Sequence, residues 1–301
     1  MIRYIDSPMG AFKESCAVYV VGRSEFAIIE TGTAASAPQT ITRLGELPGF
    51  DPLRVKYILP THLHLDHAGG ASQLAEYCPN ATILLHKDTY KHLIDPTRLY
   101  ESTERTDPMM ARLYGKPLPV PESRIQPLES GAIVQIKEAE IEVVDSPGHH
   151  SAHHAFLERD SNTLFTGDSI GWYWREHDVI LPTTPPPRFD YIQYRKTIQK
   201  FINLSPETLS FTHFGETKER QCLETAIETC EFWYKTIAKL RAEDPEITPR
   251  EVTGMLMDNY YPEFRKYPEL LISMALEVPV KGMFLYQDKD PNAPRIGVGH
   301  A

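Results

Sequence analysis

The sequence predicts an α+β fold with a helical C-terminal extension, and two patterns predict it. Short apolar runs that read as strands end repeatedly in loops carrying His or Asp: Val55–Leu59 before His62, Ile141–Val144 before His149, Thr163–Phe165 before Asp168 and Leu209–Phe211 before His213. After Gly215 the pattern changes to long amphipathic helices.

The run Thr61-His62-Leu63-His64-Leu65-Asp66-His67-Ala68-Gly69-Gly70 organises the rest. It places His62, His64, Asp66 and His67 in a loop leaving a buried strand. Such a loop can bend His62 and His64 toward one point while Asp66 and His67 face a neighbouring one. Neutral imidazoles with a carboxylate suit zinc, and also iron or manganese. A lone His is usually a packed or solvated residue. A cluster this dense, with a glycine pair behind it, is hard to explain as packing.

The chain has 301 residues, enough for one large domain or a domain with an appendage. Net charge is −10, which argues against a general nucleic-acid surface. Cys16, Cys78, Cys222 and Cys230 are scattered and read as buried thiols in a reducing compartment. The first residues lack a basic start and apolar core, and no apolar run nears the ~20 residues needed to span a bilayer. The expected location is the cytoplasm, with no membrane or nucleic-acid partner; homodimerisation is left open.

Cys16–Val21 and Phe26–Ile29 read as a hairpin, its second strand running into Glu30-Thr31-Gly32-Thr33. Ala35–Leu44 and Ala71–Tyr77 read as helices and Thr82–His86 as a strand. Residues 87–124 carry several prolines and two short helical pieces, 89–94 and 107–114, so they read as an insertion, either a lid or a plain surface excursion. His86 and His92 stand outside any cluster. Ile133–Ile136 and Ile141–Val144 form a second hairpin leading to Pro147-Gly148-His149-His150-Ser151-Ala152-His153-His154. His153 and His154 open the next strand, so one of them faces inward; it reads as a buried, hydrogen-bonded histidine first, with a role supporting the ligands as the alternative. Trp172-Tyr173-Trp174-Arg175 is either a pocket floor or a loop anchored by Trp packing, with anchoring slightly ahead. Residues 190–201, 221–241, 248–258 and 268–277 read as helices, the third opened by a Thr248-Pro249-Arg250-Glu251 capping box.

The H-x-H-x-D-H spacing of His62–His67 resembles the signature of the metallo-β-lactamase superfamily. The resemblance covers about residues 10 to 215 and implies an αββα four-layer sandwich over residues 1–215, with 216–301 as a helical extension. It also implies a ligand set. His62, His64, His149 and Asp168 would surround one divalent metal, and Asp66, His67, Asp168 and His213 the other, zinc first, with iron or manganese as alternatives. In the superfamily the position of Glu30 usually holds Asp, which supports the site without binding metal. The activity implied is a binuclear metal-dependent hydrolase using a metal-bridging hydroxide, with Asp66 as the catalytic proton carrier. The expected substrate is a small acyl ester, thioester or lactone, with Tyr173, Arg175 and Tyr194 as candidate contacts. A phosphodiesterase of the same fold, an iron-dependent oxidoreductase resembling the sulfur dioxygenases, and a non-catalytic binding module are the alternatives.

Overall fold

A computed structural model describes residues 1–289, which fall into two compact units. The first comprises Met1–Ser146, Ala152–Asp168 and Ser205–Arg220; the second comprises Pro147–Ser151, Ser169–Leu204 and the chain from Gln221.

Two six-stranded sheets build the first unit. One contains β1 (Ile2–Asp6), β2 (Ala17–Gly22), β3 (Phe26–Ile29), β4 (Val55–Leu59), β5 (Thr82–His86) and β6 (Ile125–Leu128), in that order. β1, β2 and β3 pair antiparallel, whereas β3 to β6 are parallel. The other sheet contains β7 (Ile133–Ile136), β8 (Ala139–Asp145), β9 (His154–Glu158), β10 (Thr163–Gly167), β13 (Thr208–Phe211) and β14 (Gly215–Thr217), in the order β14-β13-β10-β9-β8-β7.

Side-chain alternation explains the layering. Val18, Val20, Phe26, Ile28, Ile58 and Ile83 pack with α1 (Ala37–Gly45) and α3 (Ala71–Tyr77) through Leu44, Ala71, Leu74 and Ala75. The opposite face, with Tyr19, Val21, Ala27, Ile29 and Leu59, packs against Ile141, Val143, Phe156 and Phe165 of the second sheet. Every residue of β2 is buried, as expected for a strand covered on both sides.

The expected strands and helices are present, and several elements are additional. β1, an edge strand, has no counterpart among the expected strands. β6 contains Pro127, which removes a ladder donor and fits its edge position. The metal-loop residues 65–68 form a single helical turn, α2 (Leu65–Ala68). Within the insertion, α4 (Lys91–Ile94) and α6 (Pro108–Tyr114) match the two expected pieces, and α5 (Thr97–Thr106) lies between them. α5 buries no side chain fully, and Leu99 packs half-buried against the core.

The second unit holds the β11 (Trp172–Trp174) and β12 (Val179–Leu181) hairpin, α7 (Tyr191–Leu204), α8 (Gln221–Glu243), α9 (Pro249–Tyr260), α10 (Glu269–Ile272) and α11 (Val278–Lys289). Asp190 Oδ1 accepts from the Gln193 N–H at the start of α7, and the Thr248–Glu251 capping box opens α9. The rings of Tyr191 and Tyr234 stack at 4.0 Å, joining α7 to α8. The expected helix 268–277 does not stop at Glu277. A π turn, Ser273–Glu277, carries the chain into α11 through Pro279, the wider turn giving the proline ring space in a continuous helical run. In α11, Gly282 lies against the Thr184 carbonyl, where a Cβ would come within 1.7 Å, so only glycine permits this approach. Residues 290–301 of the expected extension lie outside the described residues. No helix among the described residues is long and apolar enough to cross a membrane.

One histidine pair in the first unit sets an acid limit on stability. His86 at the end of β5 and His154 at the start of β9 lie ring to ring at 4.6 Å, and the Ser130 hydroxyl is 3.2 Å from His154 Nε2. Burial, with His86 alongside, pushes the His154 pKa down to about 3, and burial also lowers that of His86. An unfolded histidine titrates near ~6.5, so the unfolded chain binds the extra proton below that pH. Stability is therefore expected to fall as pH drops from about 6.5 toward 3, by up to ~1.4 kcal/mol per pH unit for this proton. His154→Gln should flatten the slope, read from urea unfolding at a series of pH values; an unchanged slope would remove His154 as its source.

Candidate metal centre

The first unit brings the chemistry of β3, the β4 loop, β10 and β13 to one end of its sheets. Glu30 follows β3 with φ 70°, a conformation uncommon for a residue with a side chain. Its carboxylate is fully buried and saturated with donors. Oε1 accepts from His67 Nδ1–H at 2.9 Å, Thr61 Oγ1–H at 2.6 Å and Thr212 Oγ1–H at 2.9 Å, and Oε2 accepts from the Thr61 N–H at 3.3 Å. Glu30, where the resemblance implies a supporting acid, fixes the tautomer and orientation of His67.

His213 is fixed in the same manner, its Nδ1–H donating to the Ser15 carbonyl. Both rings thus present Nε2 to one point. His67 Nε2 lies 3.3 Å from Asp168 Oδ1 and 3.7 Å from Asp66 Oδ2; His213 Nε2 lies 3.4 Å and 3.6 Å from the same oxygens. With Nδ1–H committed to Glu30, His67 Nε2 carries a lone pair aimed at carboxylate oxygens. It is buried and makes no hydrogen bond among the described residues.

Lone pairs facing lone pairs call for a cation between them. Ligands about 2.0–2.1 Å from a tetrahedral ion stand about 3.3–3.4 Å apart, close to the spacing found here. Asp66, His67, Asp168 and His213 fit a metal. The field has the matching sign. Burial alone would push the His67 pKa down, but Asp168, Glu30 and Asp66 outweigh it and hold it well above the usual value.

His62 and His64 converge beside this group, with His62 Nε2 and His64 Nδ1 2.8 Å apart. Thr61 gives its proton to Glu30 and stands 3.1 Å from His62 Nδ1, so His62 turns Nε2 toward the cluster. His62, His67 and Asp168 form a further group whose ligand atoms lie within 4.8 Å of one another. Gly167, with φ 52°, lets β10 turn into Asp168 where a Cβ would meet His153 Nε2 at 2.6 Å.

His153 is buried between Ser146 Oγ, at 2.7 Å from its Nδ1, and the Asp168 N–H, which donates to Nε2 at 3.2 Å. It was expected as a buried, hydrogen-bonded residue, and it supports Asp168. Cys16 lies against the Asp66 carbonyl; burial, then the Glu30 and Asp66 carboxylates, push its thiol pKa well up, so it is an inert neighbour.

The remaining candidates belong to the second unit. His149 is buried on the segment Pro147–Ser151, with Nδ1–H donated to the Thr183 carbonyl at 2.8 Å, which assigns Nε2 as its ligand-type nitrogen. His150 is half-buried. Tyr194 is fully buried in α7, its backbone close to Gly148. Tyr173 is half-buried and donates to Asp178 Oδ1 at 3.2 Å, and Arg175 is exposed. Trp174 packs on Phe264 at 4.6 Å and on Tyr267 at 4.9 Å, in keeping with the anchoring reading of this segment. A cleft of ≈ 440 Å³, lined by Gly148, Arg188, Phe189, Gln193, Tyr286 and Lys289, begins one residue from His149.

A His/Asp cluster that could hold a metal, on loops at the ends of strands in sheets packed face to face with helices outside, defines a layered α+β fold with a candidate metal centre. The chain belongs to the Metallo-beta-lactamase superfamily, whose family model matches residues 11–213. It is similar to the metallo-beta-lactamase fold-containing protein ST1585 of Sulfurisphaera tokodaii, at 29% identity over 68% of this chain and 74% of that protein. The hydroxyacylglutathione hydrolase GloC of Haemophilus influenzae is 30% identical over 70% of this chain and 92% of its own length. An atrochrysone carboxyl ACP thioesterase, dmxR1 of a Cryptosporiopsis species, is 27% identical over 56% of this chain, which spans 43% of that protein. Among solved structures, that of ST1585 superimposes with a TM-score of 0.70, covering 94% of this chain and 98% of that one at 24% identity. The fold is the metallo-β-lactamase fold, two sheets with a C-terminal helical region.

Proposed function

We propose that this protein is a binuclear metal-dependent hydrolase of a small acyl ester, a thioester or lactone. One observation carries the reading: the buried convergence of His67 and His213 Nε2 on Asp66 and Asp168 oxygens at 3.3–3.7 Å, with the far nitrogens tied to Glu30 and Ser15. Asp66, His67, Asp168 and His213 would hold one divalent ion. His62, His64, His149 and Asp168 would hold the other, Asp168 being shared. Zinc is the metal favoured by this nitrogen-rich set. When bound, the metal pair supplies an acidified water and polarises the carbonyl to be attacked.

The chain's own groups do the rest. Glu30 and the Ser15 carbonyl keep His67 and His213 in the tautomer that leaves Nε2 proton-free. Asp66 holds a water proton on its carboxylate and returns it to the leaving atom. The cleft beginning at Gly148 is large enough for a small molecule and offers Arg188 and Lys289 to an acidic substrate. The names of GloC and dmxR1, both enzymes of thioesters, favour an acyl ester over a phosphodiester. Residues 1–215 as catalytic domain with 216–301 as a helical extension, two-copy assembly and a cytoplasmic setting belong to the same proposal.

The test is hydrolysis by metal-reconstituted protein across a glutathione thioester, an acyl lactone and bis(nitrophenyl) phosphate. Turnover of one acyl ester, abolished in His64→Ala, is the expected result. Inactivity toward both acyl esters with metal bound overturns the reading. Turnover of the phosphodiester instead, or oxygen consumption by the iron form, favours the corresponding alternative.

A further inference from the structure

We propose that α11 positions His149: it fixes the Thr183–Thr184 backbone, and the Thr183 carbonyl turns the His149 ring so that Nε2 is the nitrogen presented. Thr184 is the positioning residue. The inference rests on the proposed reading for the role of His149 as a metal ligand, and on geometry for the hold upon it. Every residue in the chain of contacts belongs to the second unit.

Backbone and ring of His149 are held from different sides. The backbone is seated on α7. The Asp190 N–H donates to the Gly148 carbonyl at 2.8 Å, and Thr197 Oγ1–H donates to the Pro147 carbonyl at 2.6 Å. Gly148 lies so close to Tyr194 that a Cβ would stand 2.3 Å from its Cα. Contacts to backbone do not choose the turn of an imidazole about its side-chain torsions. The Thr183 carbonyl acts on the ring itself, accepting from His149 Nδ1–H at 2.8 Å.

That carbonyl is placed by the helix. Thr184 is fully buried, and its Oγ1–H donates to the Pro279 carbonyl at 2.9 Å. Further along α11, Gly282 receives the Thr184 carbonyl, which would stand 1.7 Å from a Cβ. A helix that only packed would meet its neighbour through side chains; here a glycine admits a peptide group. Hydroxyl and carbonyl of Thr184 are thus both held on α11. The Thr183 carbonyl and the Thr184 Cα share one peptide plane, so holding Thr184 limits where that carbonyl points. α11 is itself tied to α8: Arg241 Nη1–H donates to the Phe284 carbonyl at 3.2 Å, and Gln287 Nε2–H to the Tyr234 carbonyl at 3.0 Å. An imidazole that spends Nδ1–H on a carbonyl presents an unprotonated Nε2, the form a metal takes.

The test uses full-length protein and cobalt(II), with the affinity for each ion read by chelator competition in the visible spectrum. His149→Ala marks the ion that His149 serves. Thr184→Val is expected to weaken that ion by about three- to tenfold, less than loss of a direct hydrogen-bond partner of a ligand costs, and to leave the other ion as in wild type. Thr184→Ser should restore the affinity. In the metal-free protein, nitrogen–proton correlation spectra should place the proton of the neutral His149 ring on Nδ1 in wild type and divide it between both nitrogens in Thr184→Val. Equal affinity for that ion in Thr184→Val and wild type overturns the inference. So does a loss that falls on both ions alike, or one that Thr184→Ser does not restore. Should Thr184→Val not fold, Gly282→Ala displaces the same backbone and leaves both threonines in place; selective weakening of that ion supports the role and unchanged affinity refutes it. If His149→Ala binds cobalt as wild type does, the ligand reading of His149 fails, and the ring's tautomer decides whether Thr184 holds it. A wild type inactive on every acyl ester, with the selective cobalt difference intact, sinks the hydrolase reading and leaves Thr184 assigned.

Discussion

Asp168→Ala is expected to lower bound metal from two ions per chain to one or none and to cut ester hydrolysis by at least about a thousandfold. The Asp168 carboxylate is the group shared by the proposed ion sites, and it stands 3.3 Å and 3.4 Å from the ligand nitrogens of His67 and His213. Its loss leaves those nitrogens with one carboxylate, Asp66, and removes the link to His62. A metal ion supplies several kcal/mol of charge stabilisation to the transition state, and ~1.4 kcal/mol is tenfold in rate. Elemental analysis after gel filtration, alongside turnover, makes the measurement. His86→Ala is the control, since His86 lies in a separate cluster with His154 and should leave metal content unchanged. An Asp168→Ala protein with two metals and full turnover would end the binuclear proposal.

Glu30→Ala is expected to weaken metal binding by about 10–100-fold without removing any ligand, because it frees the ring that must present Nε2. Glu30 accepts from His67, from Thr61 twice and from Thr212. Without it these buried donors lose their acceptor, each orphan costing about 1–3 kcal/mol, and His67 can turn or change tautomer. Glu30→Asp retains the charge but shortens the arm by about 1.5 Å, one carbon–carbon bond, and should fall between the two. Competition with a chelator gives the affinities. Glu30→Ala binding metal as tightly as wild type would show that His67 is oriented by something else.

Much of the site was legible because its chemistry is local in sequence. His62, His64, Asp66 and His67 lie in one loop, and a run that dense in imidazole and carboxylate has few other uses. Strands ending at Asp168 and His213 were readable from apolar runs followed by polar turns. Glu30 was visible as an acid at a strand end, and the resemblance implied a supporting role, but its partners were not visible. Its partners Thr61 and Thr212 are 31 and 182 residues away, and no spacing rule links them. His153 was expected to be buried, yet its hold on Asp168 depends on β9 lying beside β10.

The sequence by itself determined the ligand chemistry, the strand-end placement of the ligands and the change to helix after Gly215, since each follows from residue type and short-range period. The tertiary structure alone decided which nitrogen of His67 and of His213 faces the centre, how Glu30 is saturated and how His153 holds Asp168. Those depend on hydrogen bonds and packing between segments far apart in the chain, which come together only when the two sheets close on each other.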